Sequence, residues 1–173
     1  MGSDRKVILV CGPESTGKST ICRQMALRLN ARMIVDYSRF YLSAYGLNYD
    51  ENDISIMAQI HQNQLMAIKD GTIILDSFLL NYKIWLAYKY GSFNPQIEES
   101  LKKFKPDVCL LMQADLPWEP DLMRENELDR HKLFSLYEKE IDKLGWSCTI
   151  ISGKNDVRLE KALDVLAKEG MAC

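Results

Sequence analysis

The stretch GPESTGKST, at positions 12–20, constrains the fold of this chain more than any other part of its sequence. It contains the pattern GxxxxGK(S/T). An apolar run, KVILVC, ends immediately before it, and apolar residues at helical spacing begin just after Lys18. A strand, a glycine-containing loop and a helix in this order predict a P-loop, which binds the phosphates of a nucleotide. The alternative is a turn that carries these residues by chance, and the two matching flanks disfavour it.

Each residue of this loop has a physical role in holding a triphosphate. Gly12 and Gly17 let the backbone curve so that successive N–H groups point at the phosphates, and the dipole of the following helix adds to the attraction. Lys18 is expected to bridge the β- and γ-phosphates, Ser19 to bind Mg²⁺, and Thr20 to donate to the α-phosphate. We therefore predict ATP and Mg²⁺ as cofactors, with the nucleotide bound by Gly12, Glu14, Ser15, Thr16, Gly17, Lys18, Ser19 and Thr20.

Short apolar runs alternate with longer segments of helical period along the chain. Such alternation predicts an α/β protein of the P-loop NTP hydrolase/kinase fold, with a five-stranded parallel sheet flanked by helices. The predicted strands are 6–11, 32–36, 72–76, 107–112 and 147–151, and the predicted helices are 18–30, 54–69, 79–90, 130–144 and 157–168. Asp53 is expected to cap the second helix, and Gly91 and Gly145 to end the third and fourth.

Length and composition bound the possible functions. The 173 residues predict a single P-loop kinase domain, and the irregular segment at about 114–130 predicts a lid. A net charge of −2 gives no basic surface for nucleic acid, and no run of about 18 apolar residues predicts a membrane span. The five cysteines form no CxxC pair, which is typical of reduced thiols in a cytoplasmic protein.

Two aspartates follow predicted strands and should therefore face the ligand edge of the sheet. Asp76 is expected to organise the metal together with Ser19, unless it only caps the next helix. Asp36 is expected to accept a proton from a substrate hydroxyl or to orient that hydroxyl. Tyr37 and Arg39 follow it as candidate substrate-binding residues, and a local ion pair and turn is the simpler alternative.

Arg124 and Arg130 lie in and at the end of the irregular segment, spaced so that one helical face could carry both. Guanidinium groups on a closing lid neutralise charge on a transferring phosphoryl group and exclude water. We therefore predict catalytic roles for both, beside Lys18 and Asp36; solvated surface arginines are the alternative. His61 and His131 have no metal-ligand spacing around them, and we interpret both as structural.

Together these residues resemble the P-loop kinase domain of the bacterial NadR proteins, which are ribosylnicotinamide kinases. The resemblance covers nearly the whole chain and rests on GPESTGKST, DYSRFYL, MAQIHQNQ, TIILDS and PWEPDLMRENELDR. It implies an ATP-dependent kinase that phosphorylates the 5′-hydroxyl of a pyridine nucleoside, with Asp36 and Arg39 facing that acceptor. Three positions depart from the family pattern: Ser77 stands for a strand-end acid, Val35 for an aromatic residue and Leu122 for the lid glycine.

The resemblance extends to the kinase domain alone, so we expect phosphorylation and not dinucleotide synthesis. The leading hypothesis is phosphoryl transfer from ATP to ribosylnicotinamide, giving nicotinamide mononucleotide. Alternatives are a kinase for another nucleoside or small metabolite, and a nucleotide-binding regulatory ATPase or sensor. A GTPase switch is disfavoured because GKND, at 153–156, has the wrong order for the base-reading motif NKxD.

Overall fold

The structure is a computed structural model that describes residues 5–154 and 156–171. Within these residues the strands are β1 (Arg5–Cys11), β2 (Arg32–Ile34), β3 (Gly71–Asp76), β4 (Val108–Met112) and β5 (Cys148–Ile151). The helices are α1 (Lys18–Leu29), α2 (Tyr37–Tyr45), α3 (Glu51–Ala67), α4 (Leu79–Trp85), α5 (Pro95–Lys103), α6 (Arg130–Lys143) and α7 (Asp156–Lys168). A π-helix, Leu86–Tyr90, directly continues α4.

The strands form a parallel sheet in the order β2-β3-β1-β4-β5. β1 lies at the centre, with Val10 opposite Asp76 of β3 and Cys11 opposite Leu111 of β4. The loop after Cys11 and the carboxylate of Asp76 therefore emerge at the same edge, where open parallel sheets bind ligands. The predicted fold, a five-stranded parallel sheet flanked by helices, is confirmed.

Helices cover both faces of the sheet, which explains why its strands are almost continuously apolar. Leu9 and Cys11 of β1 belong to the buried cluster on the face covered by α2 to α6. Ile8 and Val10 belong to the cluster on the opposite face, with α1 and α7. All four side chains are at most 1% exposed. The core thus fixes β1 from both sides and holds the start of the GPESTGKST loop in place.

The second strand is shorter than predicted, and Asp36 does not belong to it. β2 ends at Ile34, and Asp36 instead caps α2, where Oδ1 accepts a hydrogen bond from the backbone N–H of Ser38 at 3.0 Å. The apolar pattern extends past the strand because Val35 is apolar although 54% exposed. The prediction of a strand over 32–36 was therefore wrong at its end.

The predicted cap of the long third helix was also wrong. Asp50, not Asp53, is the N-cap of α3, and its side chain accepts from the backbone N–H of Asn52 and Asp53 at 2.8 and 3.1 Å. Asp53 is the third residue of the helix, and its carboxylate accepts from the backbone N–H of Asp50 at 2.9 Å. The pair forms a capping box, which begins the helix one turn earlier than apolar periodicity indicated.

Two helices, α2 and α5, were missed by the sequence analysis. α2 (YSRFYLSAY) is rich in aromatic residues and serine, which have modest helix propensity, so its pattern is weak. α5 did carry the usual signals, because Asn94 is its N-cap and Pro95 its first residue. The Asn94 side chain accepts hydrogen bonds from the backbone N–H groups of Gln96 and Ile97 at 2.9 and 3.2 Å.

The helix following β3 changes character halfway. The segment predicted as one helix over 79–90 is α4 followed by the π-helix, and Gly91 ends it in a left-handed conformation with φ 64°. Gly145 follows α6 in the same way with φ 65°, so both predicted stop positions are confirmed. Phe78, and not Asp76, occupies the N-cap position of α4, which makes the capping alternative for Asp76 wrong.

None of the helices in the described part of the chain is long and apolar enough to cross a lipid bilayer. Cys11, Cys22, Cys109 and Cys148 are free thiols, as predicted, and Cys173 lies outside the described residues. Asn155, within the GKND sequence, also lies outside them.

Candidate active site

A cavity of about 620 Å³ opens at the carboxyl edge of the sheet. The loops after β1, β2, β3 and β4 converge on this cavity. Side chains from the loop before α3, from α4, from the π-helix and from α6 also line it. Its lining includes Gly12, Glu14, Ser15, Thr16, Gly17, Lys18, Ser19, Thr20, Asp36, Arg39, Asp76 and Arg124 among the predicted site residues. Tyr37 and Arg130 are not among its lining residues. The structure therefore brings all but two of the predicted site residues to one cavity.

The P-loop, residues 12–20, needs both of its glycines. Gly12 has φ 132°, and a Cβ built on it would lie 2.7 Å from the carbonyl oxygen of Met112. Gly17 has φ 77° at the N-cap of α1, where its carbonyl accepts from the N–H of Ile21 at 3.1 Å. The Thr16 hydroxyl donates to the carbonyl of Pro13 at 2.8 Å. Only glycine allows the loop to curve this closely against β4.

Lys18 extends back over the loop that precedes it. Its Nζ donates to the carbonyl oxygen of Pro13 at 2.6 Å. Burial lowers the pKa of the Lys18 ammonium, whereas the carboxylates of Asp76, Asp36 and Glu14 act to raise it. The ammonium thus shares the cavity with three acidic side chains, and it can meet an anionic group there.

Asp76 is 2% exposed, and its Oδ1 has no hydrogen-bond donor among the described residues. Burial raises the pKa of its carboxyl group, while the hydrogen bond with Ser19 and the charge of Lys18 oppose that rise. A buried carboxylate oxygen without a donor, next to a serine hydroxyl, suits Mg²⁺, which binds oxygen ligands and retains water and phosphate ligands. The described residues contain no cluster of three or more His, Cys, Asp or Glu able to hold a metal by themselves.

Asp36 faces the cavity from the start of α2. Its Oδ1 accepts from both the N–H and the hydroxyl of Ser38, at 3.0 and 2.6 Å. Arg39 does not pair with Asp36; its Nη1 lies 3.0 Å from Oδ2 of Asp121. The Tyr37 ring packs against Phe40 and Tyr41, with centroids 5.6 and 6.4 Å away. Of the three candidate substrate residues after β2, Asp36 and Arg39 reach the cavity and Tyr37 packs along α2.

The irregular segment 113–129, called the lid loop below, contains turns and no helix. Arg124 and Arg130 therefore do not share a helical face, since only Arg130 belongs to a helix, as the first residue of α6. Both nevertheless meet Ser15. Arg124 Nη1 lies 3.5 Å from the Ser15 hydroxyl and bonds the carbonyl of Glu119, and Arg130 Nη1 donates to the carbonyls of Ser15 and Leu116 at 3.3 and 2.8 Å. The two arginines hold the lid loop against the P-loop.

Glu14 contacts the lid loop as well. Its Oε2 accepts from the backbone N–H groups of Glu125 and Asn126 at 3.2 and 3.0 Å, and from the Asn126 side chain at 3.4 Å. The Ser15 hydroxyl accepts from the N–H of Glu119 at 2.9 Å. These contacts place Glu14 and Ser15, predicted as nucleotide-binding residues, at the junction between the P-loop and the lid loop.

Arg158 of α7 is a site residue that the sequence analysis missed. It is 5% exposed and donates to the carbonyls of Gly153, Thr16 and Gln113 at 2.6, 2.5 and 3.0 Å. It also pairs with Asp115 of the lid loop. Its position four residues before buried Ala162 puts it on the inner face of α7, a spacing that could have identified it.

A second missed group, the Tyr49 cluster, consists of Tyr49, Trp85, Lys89 and Glu125. The Tyr49 hydroxyl accepts from Lys89 at 2.5 Å and from Trp85 at 3.2 Å, and donates to Glu125 at 3.0 Å. Lys89 also donates to both carboxylate oxygens of Glu125, at 2.9 and 3.0 Å. No local sequence motif predicts this cluster, because its residues come from four separate segments: the loop before α3, α4, the π-helix and the lid loop.

Comparison with known proteins gives relatives of this fold. The Trifunctional NAD biosynthesis/regulator protein NadR of Escherichia coli (strain K12) is 22% identical over 148 residues, which is 80% of this chain and 36% of that protein. A crystal structure of NadR protein in complex with NR matches with a TM-score of 0.81 at 19% identity, covering 96% of this chain and 51% of the other. The chain thus spans about a third to a half of the NadR proteins that it matches.

A deoxyadenosine kinase from M. mycoides matches over its whole length. Its TM-score is 0.66 at 16% identity, and the match covers 94% of this chain and 99% of the kinase. The resemblance to the NadR kinase domain and the predicted P-loop kinase fold are therefore confirmed. The family model described as an AAA domain matches residues 7–158, from β1 into α7 and across every loop of the cavity. The chain belongs to this AAA domain family.

Proposed function

We propose that this protein transfers the γ-phosphoryl group of ATP to a hydroxyl group of a small molecule, with ribosylnicotinamide as the best candidate acceptor and nicotinamide mononucleotide as its product. The observation that carries this proposal is the convergence of Lys18, Asp36 and Asp76 on one cavity of about 620 Å³. The likeness to NadR, including the structure in complex with NR, supports the choice of acceptor.

The P-loop would hold the triphosphate. Its main-chain N–H groups lie at the start of α1, where the helix dipole favours anions. Lys18 would exchange its bond to the Pro13 carbonyl for one to the phosphates, a charge-assisted bond that is the stronger of the two. Burial lowers the pKa of the Lys18 ammonium, and the carboxylates of Asp76, Asp36 and Glu14 oppose that shift. The loop is therefore formed in advance, and the Lys18 side chain needs only to exchange one partner for another.

Ser19 and Asp76 are the residues that would hold Mg²⁺ beside the phosphates. When bound, the ion supplies positive charge that neutralises the phosphate oxygens. The two residues are suited to this because both line the cavity, and because Asp76 Oδ1 is buried without a donor among the described residues. The position of Asp76 at the end of β3 holds the carboxylate at the edge of the sheet.

Asp36 would orient the acceptor hydroxyl and accept its proton. Both described bonds from Ser38 go to Oδ1, which fixes the carboxylate and leaves Oδ2 for a substrate hydroxyl. On this side of the cavity Arg39 is paired with Asp121, and Lys89 with Glu125.

The lid loop would close the site during transfer, in the cytoplasm, where ATP is abundant and thiols stay reduced. Arg124 is placed beside Ser15, from which its guanidinium can turn to the phosphates. Arg130 holds the lid loop to the P-loop through the carbonyls of Ser15 and Leu116. Exclusion of water then directs the phosphoryl group to the acceptor and away from hydrolysis.

The test is incubation with ATP, Mg²⁺ and a panel of nucleosides, with mass detection of a phosphorylated product. We expect product with ribosylnicotinamide, and a fall in turnover of about 10²–10⁴-fold for Asp36→Asn because the acceptor loses its base. Asp70→Asn, on the exposed pair with Arg32, is the matched control and should retain activity. Hydrolysis that needs no acceptor would indicate a regulatory ATPase, and ATP binding without turnover a sensor; either result overturns the kinase proposal.

A further inference from the structure

Ser77, directly after β3, has a polar side chain to which the proposed phosphate and metal sites give no role. Ser77 lines the cavity, is 1% exposed, and has φ 64°, the left-handed region that residues other than glycine seldom adopt. Its Oγ has no hydrogen-bond partner among the described residues. A strained backbone and a buried hydroxyl without a partner both destabilise a protein, and both are typical of ligand-binding positions.

Asn81, four residues further on, presents an oriented amide to the same cavity. Its Oδ1 accepts from the Tyr137 hydroxyl at 2.5 Å, and Tyr137 is anchored in α6 with 3% exposure. Because the oxygen is engaged, the orientation of the amide is fixed, and its NH₂ group is the part left to bind a ligand. Asn81 can therefore donate to an oxygen atom in the cavity.

These groups lie close to the centre at which the acceptor would react. Ser77 directly follows Asp76, and its N–H bonds the carbonyl of Val10, one residue before the end of β1. Asp36, Asn81 and Tyr137 line the same cavity as Ser77. A ligand oxygen held by Ser77 and Asn81 would thus share that cavity with a hydroxyl held by Asp36.

We propose that Ser77, Asn81 and Tyr137 form a subsite for a second hydroxyl of the acceptor, next to the hydroxyl that receives the phosphoryl group. This rests on the proposed function. The Ser77 hydroxyl and the Asn81 amide bind that second oxygen, and Tyr137 positions Asn81. The acceptors selected in this way are ribosides, with their vicinal hydroxyl groups, in preference to deoxyribosides and simple alcohols. A site built to bond a hydroxyl discriminates strongly against an analogue without it, because its buried polar groups are then left unpaired.

The test compares ribosylnicotinamide with its 2′-deoxy and 3′-deoxy analogues as phosphate acceptors. For Asn81→Leu we expect kcat/KM on the riboside to fall about 10- to 100-fold, chiefly through KM, and to change less than about 2-fold on the analogue that lacks the bound oxygen. Tyr137→Phe should act in the same direction by about 3- to 10-fold. Tyr90→Phe is the matched control, since that hydroxyl bonds the backbone of Tyr49 and does not line the cavity.

Ser77→Gly separates a binding role from a merely structural one. Glycine relieves the left-handed backbone and removes the unpartnered hydroxyl, so we expect a higher Tm together with weaker discrimination between riboside and deoxyriboside. Unchanged discrimination in both Ser77→Gly and Asn81→Leu would overturn the subsite. So would an equal loss of kcat/KM on every acceptor, since that result indicates a general effect on the site or on metal binding.

Calorimetric titration without ATP keeps the subsite distinct from the proposed reaction. A wild-type protein that prefers the riboside in binding, and loses that preference in Asn81→Leu, supports the subsite even where no phosphoryl transfer is detected. A wild-type protein that phosphorylates ribosides and deoxyribosides equally well supports the kinase and overturns the subsite.

Discussion

The P-loop and the lid loop form opposite walls of one cavity, yet different kinds of contact hold them. The P-loop is fixed by buried, mainly backbone contacts: Gly12 against Met112, Gly17 at the start of α1, and Arg158 on the carbonyl of Thr16. The lid loop is held on its far side by ion pairs that reach solvent, Arg39 with Asp121 and Lys89 with Glu125.

Because of this difference, the P-loop is a rigid wall of the cavity, whereas the far side of the lid loop can detach and reattach. Buried hydrogen bonds to backbone carbonyls are expensive to break, since each leaves a polar group without a partner. Exposed ion pairs contribute little and are screened by salt, so the two pairs on the far side add little to the free energy of opening the lid loop, beyond its hydrogen bonds with Glu14 and Ser15. A site that binds ATP first and then encloses an acceptor needs one wall of each kind.

The largest effect is expected on the P-loop wall. Lys18→Ala removes the ammonium that we propose to bind the phosphates, and we expect transfer to fall by about 10³-fold or more. Because burial disfavours the Lys18 charge, the free energy of unfolding should change little or rise. Turnover assays and urea unfolding measure the two quantities. Retained activity would contradict the assignment of the nucleotide site.

Arg158→Met tests whether the P-loop wall depends on buried contacts. It leaves the carbonyls of Thr16, Gln113 and Gly153 without their donor, and we expect a loss of about 2–4 kcal/mol in the free energy of unfolding, with a raised KM for ATP. Arg32→Met, which removes an exposed pair with Asp70, is the control and should cost less than about 1 kcal/mol. Equal losses of unfolding free energy in the two variants would contradict the distinction between buried and exposed contacts.

The pH dependence of stability should reveal a buried neutral histidine behind the lid side of the cavity. His61 is fully buried, its Nδ1 lies 3.2 Å from the Tyr82 hydroxyl, and burial lowers its pKa to about 4. In the unfolded chain its pKa is about 6.5, so the unfolded state takes up the proton first as pH falls. Stability from this group is complete above pH 6.5 and is lost towards pH 4, by up to about 3 kcal/mol.

Urea unfolding at several pH values, with His61→Gln for comparison, measures this loss. The wild type should become less stable relative to the variant as pH falls from about 6.5 to about 4. The exposed His131→Gln is the control, and its pH profile should parallel the wild type. An NMR titration of the His61 ring in the folded protein gives an independent reading, and a pKa near the ordinary value would contradict the burial argument.

The smallest effect is expected on the lid wall. Lys89→Met and Glu125→Gln each break a pair whose side chains are 33% and 45% exposed, and we expect a loss below about 1 kcal/mol, seen as faster hydrogen exchange at residues 118–129. The double variant should match the single ones, because all three lack the same link. High salt should reduce the difference in stability between these variants and the wild type. A loss of stability as large as that of Arg158→Met would mean that the two walls are held equally strongly.

Sequence reasoning succeeded where function depends on consecutive residues. The glycines, Lys18 and Ser19 share one short segment, and the apolar run before it predicted both β1 and the position of the loop. Asp76 was found for the same reason, since it ends an apolar strand whose register with β1 brings it to the P-loop. Local pattern thus placed these residues on one cavity correctly, and their roles in binding a nucleotide stay predictions.

The lid side escaped prediction because distant segments build it. Tyr49 and Lys89 are far apart along the chain from each other and from Glu125, and only the packed fold brings them together. Asp36 was correctly brought to the cavity although its strand ends early, because capping α2 points its carboxylate the same way. The contact of Glu14 with the lid loop was not predicted, since position within a motif does not reveal which loop packs across it, and its nucleotide-binding role stays a prediction.

The contact between Glu14 and the lid loop limits which residues can stand at positions 125 and 126. Its carboxylate binds the backbone N–H groups of residues 125 and 126, and these two bonds do not depend on which side chains stand there. Proline is the exception, because it has no N–H to offer. Substitutions at these two positions can therefore change the rim of the cavity and keep the backbone contact with Glu14, provided that neither residue becomes proline.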